Sequence, residues 1–211
     1  MALFSVAGAC SRSGKTALAV TLLRGLPGGR AAAVKFTTTD DVFARCPRGP
    51  PCVVCDIDVP FRVVSDPRTL GEPGTDTDRL GRAGACPVVW AIARESAVGR
   101  AWAAVRRMIA DAEVTVVEGS SIVPVARPDV RLFVAHPFLS PERWKPVSGP
   151  LIAQSDLVVV NRPAGEARAP SPAVMDALAA HRGSRDLVVA DVTQPLARWA
   201  PWLSARLGAL S

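Results

Sequence analysis

The sequence predicts an α/β protein with a mostly parallel sheet and helices on both of its faces. Two observations carry this prediction. Short runs of apolar residues recur along the chain without alternating polar residues, which is typical of strands buried on both faces. Stretches of helical pattern separate these runs, as expected where helices connect parallel strands. The length of 211 residues suits a single domain, 1–211, with an ample core.

The predicted strands are, in chain order, ALFSVAG, AAAVKF, VVWAIA, VTVVEG, VRLFVA, DLVVVN and DLVVADV. The first predicted helix, TALAVTLLRGL, directly follows the first strand and its loop. The remaining predicted helices cover 77–83, 96–111, 172–181 and 195–207.

The alternation is interrupted at 37–73. This segment is rich in proline, glycine, aspartate and cysteine, and it is too long for a plain connection between two elements. We expect an insertion after the second strand, with its own means of staying ordered.

The charge pattern favours small anionic ligands over nucleic acid. The formal net charge of +6 is carried mostly by arginine, spread along the chain without a compact basic run. The lysines are Lys15, Lys35 and Lys145. Such a basic excess suits attraction to nucleotides, which are anionic. No apolar run approaches the roughly 18 residues that span a bilayer, and the N-terminus lacks the pattern of a secretory signal, so we expect a cytoplasmic protein without membrane partners.

The segment GACSRSGKT at 8–16 predicts a phosphate-binding loop between the first strand and the first helix. In the pattern G-x-x-x-x-G-K-[ST], Lys15 reaches the β- and γ-phosphates, Thr16 ligates Mg²⁺, and backbone N–H groups hold the phosphates. The first glycine of that pattern is Ala9 here, with Gly8 one position earlier. The candidate nucleotide-binding residues are Gly8, Ala9, Ser11, Arg12, Ser13, Gly14, Lys15, Thr16, Ala17 and Asn161. The loop sequence does not distinguish ATP from GTP.

Two strand ends add to this predicted site. Glu118 ends the strand VTVVEG, where a carboxylate can act on Mg²⁺ or its water, so Lys15 and Glu118 are the catalytic candidates; the alternative is a solvated carboxylate. Asn161 ends DLVVVN and is a candidate for contacting the purine base; the alternative is a turn asparagine. The following residues, NRPA, lack the aspartate of the guanine-specific pattern.

The segments VAGACSRSGKT, VKFTTTDD, PGTDTDRLGRAGA and VVEGSS together resemble the molybdopterin-guanine dinucleotide biosynthesis protein B family over roughly residues 1–122. The resemblance implies the fold of a P-loop NTPase and a GTP-binding adaptor with slow hydrolysis, usually a homodimer, that assists a partner protein in cofactor assembly. By position, it implies that the nucleotide or its partner is surrounded by Lys15, Thr16, Lys35, Asp76, Arg79 and Glu118.

The chain departs from that family at two places. Lys35-Phe36 stands where the family has Lys-His. After residue 122, VRLFVAH, DLVVVNRP and LVVADVTQ are more similar to the wider group of P-loop proteins that contains dethiobiotin synthetase and metal-insertion NTPases. This similarity implies an alternative function, an ATP-dependent synthetase that activates a carboxylate.

Three cysteines in CPRGPPCVVC, namely Cys46, Cys52 and Cys55, predict a metal centre inside the insertion. Five cysteines in a cytosolic chain favour metal or redox use over disulfides. Cys86 or a residue of a partner chain would be the fourth ligand. An iron–sulfur cluster and zinc both fit four thiolates, and unconnected loop cysteines are the remaining alternative.

These patterns predict a Mg²⁺-dependent nucleotide-binding protein that carries a cysteine-ligated metal centre, an iron–sulfur cluster ahead of zinc. It would act as a slow NTPase or an adaptor in biosynthesis of a metal cofactor resembling the molybdenum cofactor. The carboxylate-activating synthetase and a non-catalytic nucleotide or redox sensor are the alternatives.

Overall fold

The computed structural model describes residues 1–28, 30–39, 59–183 and 186–210. It confirms an α/β fold with a mostly parallel sheet. The strands are β1 Ala2–Gly8, β2 Ala31–Thr38, β3 Phe61–Val64, β4 Val88–Ala93, β5 Val114–Glu118, β6 Val130–Ala135, β7 Leu157–Asn161 and β8 Asp186–Ala190. The helices are α1 Lys15–Arg24, α2 Pro67–Leu70, α3 Asp76–Arg82, α4 Val98–Met108, α5 Val123–Ala126, α6 Ser148–Gln154, α7 Pro172–Arg182 and α8 Pro201–Gly208.

The eight strands form one sheet in the order β3-β4-β2-β5-β1-β6-β7-β8. All neighbours pair in parallel except β3, which runs antiparallel to β4 at one edge. The carboxyl ends of β1, β2 and β5 therefore lie side by side at the same edge of the sheet, next to the loop that connects β1 to α1. Ligands of open parallel sheets bind at this carboxyl edge.

Helices cover both faces because successive strand residues point to opposite sides. On one face, Phe4 and Val6 of β1 pack with Leu18 and Leu22 of α1, in a cluster that also takes in residues of α3 and α8. The other face packs against α4 beneath β2, β4 and β5, and against α6 and α7 beneath β6 and β7. No helix within the described ranges is long and apolar enough to cross a membrane.

Several elements differ from the sequence prediction. β3, α2 and α6 were not predicted, since elements of four to seven residues show too little periodicity to be recognised. The predicted helix 195–207 is a 3₁₀ turn, Leu196–Arg198, followed by α8. The new helix begins at Pro201, which has no N–H to continue an earlier one. β3 ties the described end of the insertion 37–73 to the main sheet, and the cysteine motif lies outside the described residues.

Candidate functional site

The loop 8–16 leaves β1 at Gly8 and enters α1 at Lys15, as the sequence predicts. Gly14 caps the helix with a left-handed backbone, at φ 107°, which favours glycine. A Cβ on Gly14 would also overlap the side-chain amide of Asn161. This loop therefore joins a buried strand to a helix N-terminus, the arrangement that directs N–H groups toward an anion.

The geometry explains why alanine is accepted at the first position of the glycine pattern. Ala9 is fully buried, its N–H donates to the Val134 carbonyl at 3.1 Å, and its carbonyl accepts from the Lys145 N–H at 2.9 Å. Gly8 is the position without room, because a Cβ there would lie 2.6 Å from Ser13 Oγ and 2.9 Å from the Val134 oxygen. The steric requirement for glycine thus falls on Gly8 and not on Ala9.

Two polar side chains of the loop are oriented inward. The Lys15 ammonium donates to the Cys10 carbonyl at 2.7 Å, and burial lowers the pKa of Lys15, although the charge of Glu118 opposes this shift. The hydroxyl of Ser13 is fully buried and has no hydrogen-bond partner among the described residues. A buried polar group without a partner costs free energy, so a ligand that supplied one would be stabilised there.

A chain of hydrogen-bonded charges extends from the end of this loop. Thr16 Oγ1 donates to Glu118 Oε2 at 2.9 Å. Glu118 Oε1 accepts from Lys35 Nζ at 2.8 Å, and the same ammonium donates to Asp76 Oδ2 at 2.6 Å. Glu118 is only 2% exposed, so this carboxylate is held inside the protein rather than solvated at a strand end. We name these four residues, Thr16, Lys35, Asp76 and Glu118, the carboxylate cluster.

The strand register accounts for much of the carboxylate cluster. Glu118 of β5 pairs with Val6 of β1 on one side and with Lys35 of β2 on the other. Because the strands are parallel and adjacent, Lys35 and Glu118 meet as cross-strand neighbours. Asp76 is the first residue of α3, whose cap is Thr75, and acidic residues in a first helical turn interact favourably with the helix dipole.

The charges of the carboxylate cluster stabilise one another. Burial acts to lower the pKa of Lys35, but the two carboxylates outweigh it and raise that pKa above its usual value. Burial acts to raise the pKa of Asp76, but Lys35 and a hydrogen bond from Thr16 hold that pKa below its usual value. At neutral pH the lysine is therefore a cation and Asp76 an anion.

Asn161 lies against the loop. Its Nδ2 donates to the Ser13 carbonyl at 3.2 Å, and its Oδ1 accepts from the Val192 N–H at 3.4 Å. Thr21 of α1 donates to the Val192 carbonyl at 2.6 Å. Asn161 thus braces the loop against the segment that follows β8, a contact that the sequence did not predict. Its role in contacting a base stays a prediction.

The remaining predicted residues lie at the periphery. Ser11 and Arg12 are exposed on the outer part of the loop, where Arg12 adopts a left-handed backbone at φ 60°. Ala17 packs against the core beneath α1. Arg79 is exposed on α3, and its charge contributes to lowering the pKa of Asp76.

The structure does not test the predicted metal centre. Cys46, Cys52 and Cys55 lie outside the described residues. Cys86 is exposed with a free thiol. Within the described part of the chain, no group of three or more His, Cys, Asp or Glu side chains is arranged to hold a metal ion. Cys10 lies half-buried in the loop, where burial raises the pKa of its thiol against the nearby charges of Lys15, Lys145 and Arg143.

Two residues of this region were missed as site residues. The Ser120 hydroxyl bonds both the N–H and the carbonyl of Gly8, at 3.3 and 3.2 Å, and so fixes the start of the loop. Its position just after Glu118 in VVEGSS was the available signal. Lys145 is bound to the loop through its backbone, and the scarcity of lysine in the chain could have drawn attention to it.

Comparison with known proteins adds no assignment. The chain matches no protein-family model, and no curated protein matches it.

Proposed function

We propose that this chain is a P-loop protein that binds a nucleoside triphosphate with Mg²⁺ at the loop 8–16, and that it acts as a slow NTPase or as a nucleotide-dependent adaptor. The observation that carries the proposal is the hydrogen bond from Thr16 to the buried Glu118, beside the loop and at the carboxyl edge of the sheet. A hydroxyl and a carboxylate at this place, next to a glycine-rich turn and a lysine, are the groups that a Mg²⁺–phosphate site needs.

The loop supports the binding of the phosphates. Lys15 is half-buried, and among the described residues the hydrogen-bond acceptor of its ammonium is a neutral carbonyl rather than a carboxylate. A phosphate oxygen would replace that neutral acceptor with a charged one, so that both the donor and the acceptor of the hydrogen bond would be ionised. Ser13 would find the missing partner for its hydroxyl in the same ligand.

The carboxylate cluster supports the metal and the water. Thr16 and Glu118 would hold Mg²⁺, with Asp76 beside them, and the ion would neutralise negative charge on the phosphates. Glu118 is also an acceptor that can orient a water molecule for in-line attack on the terminal phosphate. Lys35 fixes both carboxylates through its ammonium, so the acceptors are held in place before a ligand binds.

The proposed role in metal-cofactor biosynthesis is supported by the sequence. The resemblance to the molybdopterin-guanine dinucleotide biosynthesis protein B family and the three cysteines of the insertion support a task in metal-cofactor biosynthesis, with a cysteine-ligated metal centre. The placement of Lys35, Asp76 and Glu118 in one hydrogen-bonded cluster agrees with the positions that the resemblance implies.

Equilibrium titration and phosphate release, each with ATP and with GTP in the presence and absence of Mg²⁺, test the proposal. Mg²⁺-dependent binding with slow release supports an NTPase, and binding with no release supports an adaptor. Release that depends on an added carboxylate substrate would favour the synthetase alternative. Failure to bind either nucleotide would refute the proposal.

A further inference from the structure

We propose that Lys145 contacts the terminal phosphate of the bound nucleotide and so makes the site prefer a triphosphate over a diphosphate. The inference rests on the proposed function and deepens it, because it concerns which state of the nucleotide the site recognises. Neither the glycine-rich motif nor the family resemblance includes Lys145, which lies in the segment between β6 and α6.

This segment is fixed to the start of the loop. The backbone N–H of Lys145 donates to the carbonyl of Ala9 at 2.9 Å. The preceding residue, Trp144, is buried in the cluster that contains Ala7 and Ala9, and its indole N–H donates to the Leu139 carbonyl at 3.1 Å. Lys145 itself is half-buried. Its backbone position beside the loop therefore does not depend on its own side chain.

The position of Lys145 along the loop 8–16 indicates which phosphate of a bound nucleotide would lie near it. The lysine of a phosphate loop reaches the β- and γ-phosphates. The ammonium of Lys15 lies against the carbonyl of Cys10, and Lys145 is bound at the adjoining residue, Ala9. Lys145 thus lies next to the part of the loop where the outer phosphates are expected.

The electrostatics agree with an anion between these cations. The charge of Lys145 contributes to lowering the pKa of Lys15 and opposes the rise that burial causes in the pKa of Cys10, as expected for a cation beside the loop. Lys35 also lowers the pKa of Lys15, so all three lysines of the chain converge on this loop, although the chain otherwise uses arginine for its positive charge. Lys35 is bound between two carboxylates of the carboxylate cluster, whereas Lys15 and Lys145 both bond carbonyls at the start of the loop, Lys15 through its ammonium and Lys145 through its backbone.

The ratio of two affinities tests the inference. The parent protein, Lys145→Ala, Lys145→Arg and the control Arg107→Ala are titrated with Mg²⁺ and non-hydrolysable triphosphates of adenosine and guanosine, and with the corresponding diphosphates. Arg107 is an exposed residue at the end of α4, and its substitution removes the same unit of charge. The backbone bond from residue 145 to Ala9 is retained in every variant.

We expect Lys145→Ala to lose about tenfold or more in triphosphate affinity, as for a lost hydrogen bond between charged groups, with diphosphate affinity changed less than about twofold. Lys145→Arg should retain part of the preference, and Arg107→Ala all of it. Equal loss for both ligands, or no loss, would overturn the inference while leaving the proposed function intact. Binding of neither ligand by the parent would overturn both.

Discussion

At the scale of single residues, Lys15 and Lys35 are both half-buried cations with opposite electrostatic surroundings. Lys35 lies between two carboxylates, which raise its pKa, whereas burial lowers the pKa of Lys15, which bonds a carbonyl. The charge of Lys35 is balanced by two carboxylates of the protein, whereas Lys15 bonds a neutral carbonyl and is suited to an incoming anion. The difference supports the proposal that Lys35 positions the carboxylates and that Lys15 binds the ligand.

Glu118→Gln separates catalysis from binding. The substitution keeps the shape and removes the charge, so we expect the mutant to retain nucleotide binding while any hydrolysis falls by roughly 100-fold, as for the loss of a general base or metal-bound carboxylate. Phosphate release under saturating nucleotide measures the effect.

Glu113→Gln is the matched control for this prediction. Glu113 is exposed and precedes β5 at the opposite edge of the sheet. Its carboxylate forms an ion pair with Arg30. The Glu113→Gln substitution should therefore leave hydrolysis unchanged. Equal rates in the parent and in Glu118→Gln would mean that Glu118 has a structural role alone.

At this scale the sequence indicated which residues would lie together better than it indicated the contacts that hold them. Lys15, Thr16 and Glu118 follow from a short motif and a strand end, and the resemblance implied Lys35 and Asp76. The brace from Asn161 to Ser13 joins residues that are 148 positions apart, and no local pattern reports such a contact. The bond from Lys145 to Ala9 was hidden for the same reason, because it depends on how the segment after β6 folds back.

At the scale of elements, the loop 8–16 is defined by close packing at its first glycine. Gly8→Ala would place a methyl group 2.9 Å from a backbone oxygen of β6, which cannot move without shifting the strand. We expect a loss of about 1–3 kcal/mol in the free energy of unfolding, with a weaker affinity for nucleotide, because the loop must shift. Chemical denaturation and a nucleotide titration on the same preparations measure both.

Gly99→Ala provides the control. Gly99 lies in α4 with open space around it, so an added methyl group should stabilise the helix by up to about 1 kcal/mol and leave nucleotide affinity unchanged. If Gly8→Ala is as stable as the parent and binds equally well, the steric account of this loop is wrong.

The elements themselves were predictable where burial on both faces left continuous apolar runs, as in β1, β4 and β6. β3 has only four half-buried or exposed residues at the sheet edge, and its antiparallel pairing with β4 depends on tertiary contact. The 3₁₀ turn before α8 was missed because the apolar residues continue across Pro201 and suggest one helix. Proline has no backbone N–H to donate to the preceding turn, so a new helix begins there.

At the scale of the whole molecule, the central question is whether a metal centre accompanies the proposed nucleotide site. β2 ends at Thr38, just inside the predicted insertion 37–73, so the chain leaves this strand at the carboxyl edge of the sheet, the edge at which Glu118 ends β5. A metal centre built from its cysteines would supply order that a proline- and glycine-rich segment has little core to provide.

We expect anaerobically purified protein to be brown and to contain iron with matching sulfide. Substitution of Cys46, Cys52 or Cys55 by serine should abolish the visible absorption, and Cys86→Ser should weaken it. Cys10→Ser is the control and should leave the absorption unchanged. Cys10 is half-buried in the loop 8–16 and is not one of the predicted metal ligands. Zinc alone would support the alternative metal, and neither metal at useful stoichiometry would contradict the prediction of a metal centre.

The most direct test of the central claim is a calorimetric titration of the parent and of Lys15→Ala with Mg²⁺ and each of ATP and GTP, with circular dichroism recorded on the same samples. We predict saturable binding of at least one nucleotide by the parent and no measurable binding by Lys15→Ala, with the same circular dichroism spectrum for both. The spectrum should be preserved because the Lys15 ammonium bonds a loop carbonyl and supports no element of the core. Unchanged affinity in Lys15→Ala would contradict the assignment of the loop 8–16 as a phosphate-binding loop.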